Sequence, residues 1–346
     1  LNVSALNRHT ESTSYSATSA SAAGMSITDA DTVENSLQSM YRHDFTWAAA
    51  TTYVGVDTTW MDAASKKYRN TTGYANALEG IFAKGALTSD TLGSEQHVSP
   101  FLHFEFSPFK PLRLSLGVRE DNIELETDDR LNATGDGSKK FSKLVRKAGA
   151  TYELNGNALV WARAAEGFLA PSISDLLGSG GLPNTTTYIP QNMDLKPIES
   201  MTYEVGLRAH ALANRLRIDT TYFDTDLTNM IVREDCDTAV EVCYQKNVTA
   251  GKANLHGLET SLRYEVTDWL DIGAAHTWSV VKYRDYKTPD YDYSGNTWKG
   301  APAHHVNLRL GITPLPGLRA ELEMDHISDY YRNNENVWGT YQRPDL

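Results

Sequence analysis

Apolar and polar residues alternate with a period of two along most of the chain. Leu270, Ile272, Ala274, His276, Trp278 and Val280 fall on one face of a stretch whose other face is Asp271, Gly273, Ala275, Thr277 and Ser279. Leu112, Leu114, Leu116 and Val118 alternate with Arg113, Ser115, Gly117 and Arg119. Val306, Leu308, Leu310 and Ile312 are followed by Leu318, Ala320, Leu322 and Met324, the latter set against Arg319, Glu321 and Glu323. Residues 203–209, 216–222 and 258–264 repeat the pattern. Successive side chains of a β-strand point to opposite faces, so this periodicity predicts strands with one apolar face. The second face is charged: Glu204, Arg208, Arg217, Asp219, Glu259, Arg263 and Arg309 all fall on it.

A soluble sandwich would also alternate, so length and connectivity must decide. The stretches run about 9–14 residues, against about 5–6 for strands of globular proteins and ~9–11 for a strand that crosses a bilayer. Short turns are expected near 107–111, 154–157, 211–214, 266–268 and 313–317. They alternate with long loops near 66–95, 124–140, 168–198, 228–250, 284–300 and 328–345. Outer-membrane barrels place short turns on the periplasmic side and long loops outside. The pattern therefore predicts an all-β, antiparallel transmembrane β-barrel wall of about 13 strands in a bacterial outer membrane. Ser12–Gly24, rich in Ser, Ala and Thr, is also compatible with a loop, and Tyr74–Lys84 with a short helix inside its loop.

Composition narrows the alternatives. Hydrophobic residues make up 40% of the chain, with no apolar run near the ~20 residues of a membrane helix. That leaves a barrel open, because only alternate strand residues meet lipid. The 44 acidic residues outnumber 32 basic ones, giving −12, which argues against a nucleic-acid surface. Cys236 and Cys243 lie in one polar segment and read as a disulfide stapling a surface loop in an oxidising compartment; two unrelated thiols are the alternative. No nucleophile elbow, Walker loop or zinc motif is present, so neither an enzyme, a resident cofactor nor a metal site is expected. Gly178–Ser179–Gly180–Gly181 has no following helix and reads as a flexible loop. His304 and His305 are adjacent on a strand, so they should point to opposite faces, one to the wall exterior and one to the lumen.

Several segments resemble a known family. Ala162–Leu176, containing Glu166-Gly167-Phe168-Leu169-Ala170-Pro171-Ser172, is similar to the "GFRAPS" segment of TonB-dependent outer-membrane receptors. Asn192-Met193-Asp194-Leu195-Lys196-Pro197 resembles that family's "NPDLKPE" box, with Met193 where a proline is usual. Tyr203–Arg208, Tyr222–Ile231 and Asn247–Glu259 resemble the strands that follow in the same order. The resemblance implies a barrel of about 22 strands, with about six before this stretch and about three after it. It also implies an N-terminal plug domain, which this chain lacks, through which the TonB-ExbB-ExbD complex would act.

By that resemblance the expected activity is active import of a scarce, large nutrient, by default a ferric siderophore. Haem, cobalamin, another metal or a small cofactor remain open, as does a passive porin or adhesin barrel. The expected partners are an iron chelate, outer-membrane lipid and lipopolysaccharide. Aromatic and basic residues in the long loops suit flat, anionic ligands. Tyr188, Arg233, Tyr283, Arg284, Tyr291, Trp298 and Tyr331 are the candidate contacts.

Overall fold

The structure, a computed structural model, describes residues 1–17, 25–72, 82–131, 136–177, 192–235, 245–288 and 291–337. They form one sheet of 13 strands in strict sequence order. The strands are β1 (Asn2–Ala17), β2 (Met25–Asp44), β3 (Thr51–Asn70), β4 (Lys84–Phe109), β5 (Leu112–Asp129), β6 (Gly137–Asn155) and β7 (Ala158–Leu169). They continue as β8 (Ile198–Ala211), β9 (Leu216–Asp235), β10 (Gln245–Thr267), β11 (Leu270–Asp285), β12 (His304–Leu315) and β13 (Leu318–Ile327). Every neighbouring pair is antiparallel, from β1–β2 to β12–β13. Among the described residues no helix is long and apolar enough to span a membrane.

Register explains why the sheet has two chemically distinct faces. Residues directly opposite one another share a face. Tyr264 pairs with Ile272, Ile272 with Leu310, and Leu310 with Leu322. One step along, Arg263 pairs with Gly273, Gly273 with Arg309, and Arg309 with Glu323. The aliphatic rows are heavily exposed, as at Leu116, Val205 and Leu322, which is the state of a lipid-facing surface rather than of a soluble one. A one-residue slip would exchange the two faces in any strand, so the lipid boundary fixes register throughout.

The charged rows pair across strands. Arg319 Nη1 lies 2.9 Å from Asp271 Oδ1 and Arg319 Nη2 3.1 Å from Glu321, with Arg309 3.6 Å from both carboxylates. Arg208 holds Asp219 at 2.6 Å. Arg163, directly opposite Glu204 on β7, lies 2.6 Å from it, a charge contact rather than an aligned hydrogen bond, while Arg208 on the same strand as Glu204 pairs with Asp219 instead. Cross-strand register, not spacing along one strand, selects the partner. Among the described residues Glu259 has no basic group within 4.0 Å, although Arg263 lies on the same face of the same strand.

Tight turns join β4–β5, β6–β7, β8–β9, β10–β11 and β12–β13, and a six-residue link with a 3-10 turn at Trp47–Ala49 joins β2–β3. The opposite end carries the long connections. The strands there run further than their alternation shows. Residues 66–70 and 84–95 belong to β3 and β4, 124–129 to β5, and 228–235 with 245–250 to β9 and β10, so the loops are shorter than the sequence suggests. The reason is physical: past the membrane neither face meets lipid, so the regular apolar alternation fades while the hydrogen-bond ladder continues. Ser12–Ala17 is likewise strand. Most of the candidate helix at 74–84 lies outside the described residues, and Lys84 opens β4.

Candidate functional site at the long-connection end

The β7–β8 connection folds back onto the sheet. Its first part forms a single turn of helix, α1 (Ile173–Leu177). Ser172 and Asp175 cap that turn reciprocally: the Ser172 N–H donates to Asp175 Oδ2 at 2.9 Å and the Asp175 N–H to Ser172 Oγ at 3.1 Å. Leu176 (1% exposed) and Leu195 (2%) then pack with Ile123, Leu125 and Phe141 from β5 and β6. Phe168, Ala170, Ile173, Met193 and Ile231 pack around them. Burying such side chains is worth roughly 1.5–3 kcal/mol each, so the turn is held by its apolar face rather than by helix propensity.

An amide clasp completes the attachment. Asn247 on β10, itself buried, donates from Nδ2 to the Asp175 carbonyl at 2.9 Å. Asn192 returns the contact, donating from Nδ2 to the Asn247 carbonyl at 2.8 Å, and its own N–H bonds the Leu176 carbonyl at 2.7 Å. The Lys196 N–H donates to Thr249 Oγ1 at 2.9 Å. Pro197, which has no N–H to donate, stands immediately before β8. The segments that carry the family resemblance are thus a lock that ties one long connection to the wall.

A second cluster occupies the far ends of β9–β11. Tyr283 (4% exposed), Tyr286 and Tyr293 pack with Met230 and Ala253, and Trp298 stacks on Tyr283 at 5.6 Å. The β11–β12 connection is stitched to the segment after β13. The Tyr283 hydroxyl donates to Asn334 Oδ1 at 3.0 Å, Asn336 Nδ2 to the Thr297 carbonyl at 2.9 Å, and the Gly300 N–H to the Tyr331 carbonyl at 2.8 Å. Burial raises the Tyr286 phenol above its ordinary range. Burial first, and Glu335 second, push the Tyr293 phenol up to about 12. Asp292 is held low by the Ser294 hydroxyl and N–H and by Lys287.

The candidate ligand contacts therefore separate into groups. Tyr283 is buried in the aromatic cluster, and Trp298, partly buried, packs against it. Arg284 is 3.2 Å from Asp226. Tyr331 contributes its carbonyl to the stitch. Tyr291 stands exposed over Tyr293 at 5.9 Å. Arg233 is exposed opposite Asn247, with no ion pair among the described residues. Tyr188, Gly178–Gly181, Cys236 and Cys243 lie outside the described residues. The clasp residues Asn192, Asn247 and Thr249 were missed as a unit, because asparagine in loops reads as a turn former and the contacts join positions far apart in sequence.

The TonB dependent receptor-like β-barrel family matches residues 2–346. The chain belongs to the TonB-dependent receptor β-barrel family. That membership makes the sheet part of an outer-membrane barrel of the transport-receptor class. A probable TonB-dependent siderophore receptor PiuA of Acinetobacter baumannii is 27% identical over 217 residues, which is 59% of this chain and 28% of that protein. A ferrioxamine receptor of Yersinia enterocolitica is 31% identical over 143 residues, 41% of this chain and 19% of that one. The unliganded ferric citrate transporter FecA superposes with a TM-score of 0.73 at 18% identity, over 96% of this chain and 47% of that chain. The siderophore receptor PiuA structure gives 0.67 at 19%, over 90% and 48%. The chain spans less than half the length of each of these relatives. In this TonB-dependent receptor barrel the clasp and the aromatic cluster both lie at the long-connection end.

Proposed function

We propose that this chain forms the wall of an outer-membrane receptor that imports a ferric siderophore, driven through TonB-ExbB-ExbD by a plug domain held in the lumen. The long connections face outside and the short turns face the periplasm, as in barrels of this kind. Lipid and lipopolysaccharide contact the aliphatic face, and Cys236–Cys243 closes the β9–β10 connection as a disulfide. The reading is carried by the match of the family over the whole chain, together with relatives whose names specify siderophore receptors. The ligand meets the long-connection end, with Arg233, Tyr291 and Tyr188 as contacts and Tyr283, Trp298, Arg284 and Tyr331 holding the surface that presents them.

Binding separates this reading from its competitors. The complete receptor in detergent is titrated with ferric hydroxamate, ferric catecholate and ferric citrate complexes, and with haem, cobalamin and Cu²⁺, following tryptophan fluorescence. Saturable binding of one ferric chelate supports the proposal. Binding of haem, cobalamin or Cu²⁺ with no ferric chelate bound would replace it, a copper transporter being among the similar folds at TM-score 0.65.

A further inference from the structure

Five of the chain's histidines lie on the neighbouring strands β10–β13, at levels that run from His276 to Val280 of β11. His256, His276, His304 and His326 carry the parity of the aliphatic rows: His276 pairs with Val306, Val306 with His326, and Trp278 with His304. His305, the neighbour of His304, turns to the other face and lies 2.7 Å from Asp325. On the outward face, His276 Nε2 and His304 Nδ1 are 3.1 Å apart, with ring centroids at 5.4 Å and planes 12° from parallel. This is a nearly coplanar N–H···N contact, in which only one ring supplies a hydrogen. Trp278 flanks the pair, as aromatic rings do at the headgroup level, where water is available.

We propose that His276 and His304 form a bidentate site for a divalent transition-metal ion on the outward face of the barrel wall, bridging β11 and β12. Two imidazole nitrogens bound to one tetrahedral ion at 2.0–2.1 Å stand about 3.3 Å apart, close to the separation already present, and both rings turn out of the line of the hydrogen bond so that their lone pairs converge on the ion. Neutral imidazole is the ligating form, and no charged ligand must be desolvated. Binding moves the shared hydrogen to the far nitrogen of its own ring, leaving both rings neutral and each ligating nitrogen with a free lone pair. Water fills the remaining positions, and His326 stands on the same face one strand further on. All-nitrogen ligation favours Cu²⁺ over Ni²⁺ and Zn²⁺.

Position gives the site a consequence. Trp278–His304 is the last rung of the β11–β12 ladder, at the root of the connection that carries Tyr286, Tyr291, Tyr293 and Trp298. A metal there staples the two strands where the continuous ladder gives way to scattered backbone bonds, such as Ser279 N–H to the Ala303 carbonyl and Trp298 N–H to the Val281 carbonyl, and limits fraying of the aromatic connection.

The test uses the complete receptor in detergent with Cu²⁺, read by electron paramagnetic resonance. The expected spectrum shows nitrogen couplings from two imidazoles. It is lost, with affinity at least ten-fold weaker, in both His276→Asn and His304→Asn, and is kept in His9→Ala, which dismantles the exposed His9–Glu11–Asp31 group. A second measurement needs no variant: Zn²⁺ should protect His276 and His304 of the unaltered protein from acylation by diethyl pyrocarbonate, located by mass spectrometry. Copper binding unchanged in both Asn variants, binding lost in His9→Ala, or equal acylation with and without Zn²⁺ overturns the proposal.

Discussion

Leu176→Ala tests whether the β7–β8 connection is locked by its apolar face. Leu176 is 1% exposed and packs into a cluster of Ile123, Leu125, Phe141 and Leu195. Truncating a buried leucine costs about 2–5 kcal/mol in lost transfer and residual cavity. The wall retains its complete ladder, so the loss falls on the opening equilibrium of residues 170–177 and 192–197 and not on global unfolding. At about 1.4 kcal/mol per decade, even the low end raises the open population about 30-fold. Hydrogen exchange reads this directly, because the Leu176 N–H is bonded to the Ser172 carbonyl at 3.1 Å and the Asn192 N–H to the Leu176 carbonyl at 2.7 Å. Both amides should exchange at least tenfold faster in the variant, while amides of β5 and β6 at mid-strand stay unchanged. Unaltered exchange at Leu176 and Asn192 would refute the lock, and uniform acceleration across the sheet would show that the turn supports the whole wall.

Asn247→Ala should open the same connection by about 1–3 kcal/mol, since the buried Asp175 carbonyl loses its donor, with the accelerated exchange confined to residues near 175 and 192. Gly206→Ala should destabilise the barrel by about 1–3 kcal/mol in urea titrations, because an added Cβ would lie 2.4 Å from the Trp161 indole; a smaller side chain at 161 should relieve the clash. Tyr293 should ionise only near pH 12 in an ultraviolet titration. Its folded pKa lies above the unfolded value of about 10, so the aromatic cluster keeps its full stability below pH 10 and loses it as pH rises toward 12; a Tyr293 transition near pH 10 in the folded protein contradicts that burial.

How much of this was legible in the sequence follows from where each strand meets water. Within the membrane, Leu112–Val118 and Leu270–Val280 show their period because one face has only lipid to contact, and the strands there are where alternation put them. Above it, Glu124–Asp129 and Thr228–Asp235 continue the same ladders with no lipid on either face, so composition there resembles a loop, and the apolar exceptions Leu125, Met230 and Ile231 are covered by the connections. The opposite-facing pair His304 and His305 was readable from strand geometry alone. The Asn192–Asn247 clasp was not, because it depends on a fold-back between residues 55 positions apart. Tyr283 and Trp298 illustrate the remaining limit. In sequence an aromatic residue near a long connection looks the same whatever its neighbours are, so the packing of Tyr283 and Trp298 with Tyr286 and Tyr293 was not readable there.

Uptake of radiolabelled iron tests the central claim most directly. Cells carrying the complete receptor, with every other siderophore receptor deleted, are given the ferric siderophore that binds the purified protein. The account predicts accumulation that requires the receptor and stops when TonB is deleted or the proton gradient is collapsed. Accumulation that is unchanged without TonB, or no accumulation of any ferric chelate in receptor-bearing cells, would contradict it.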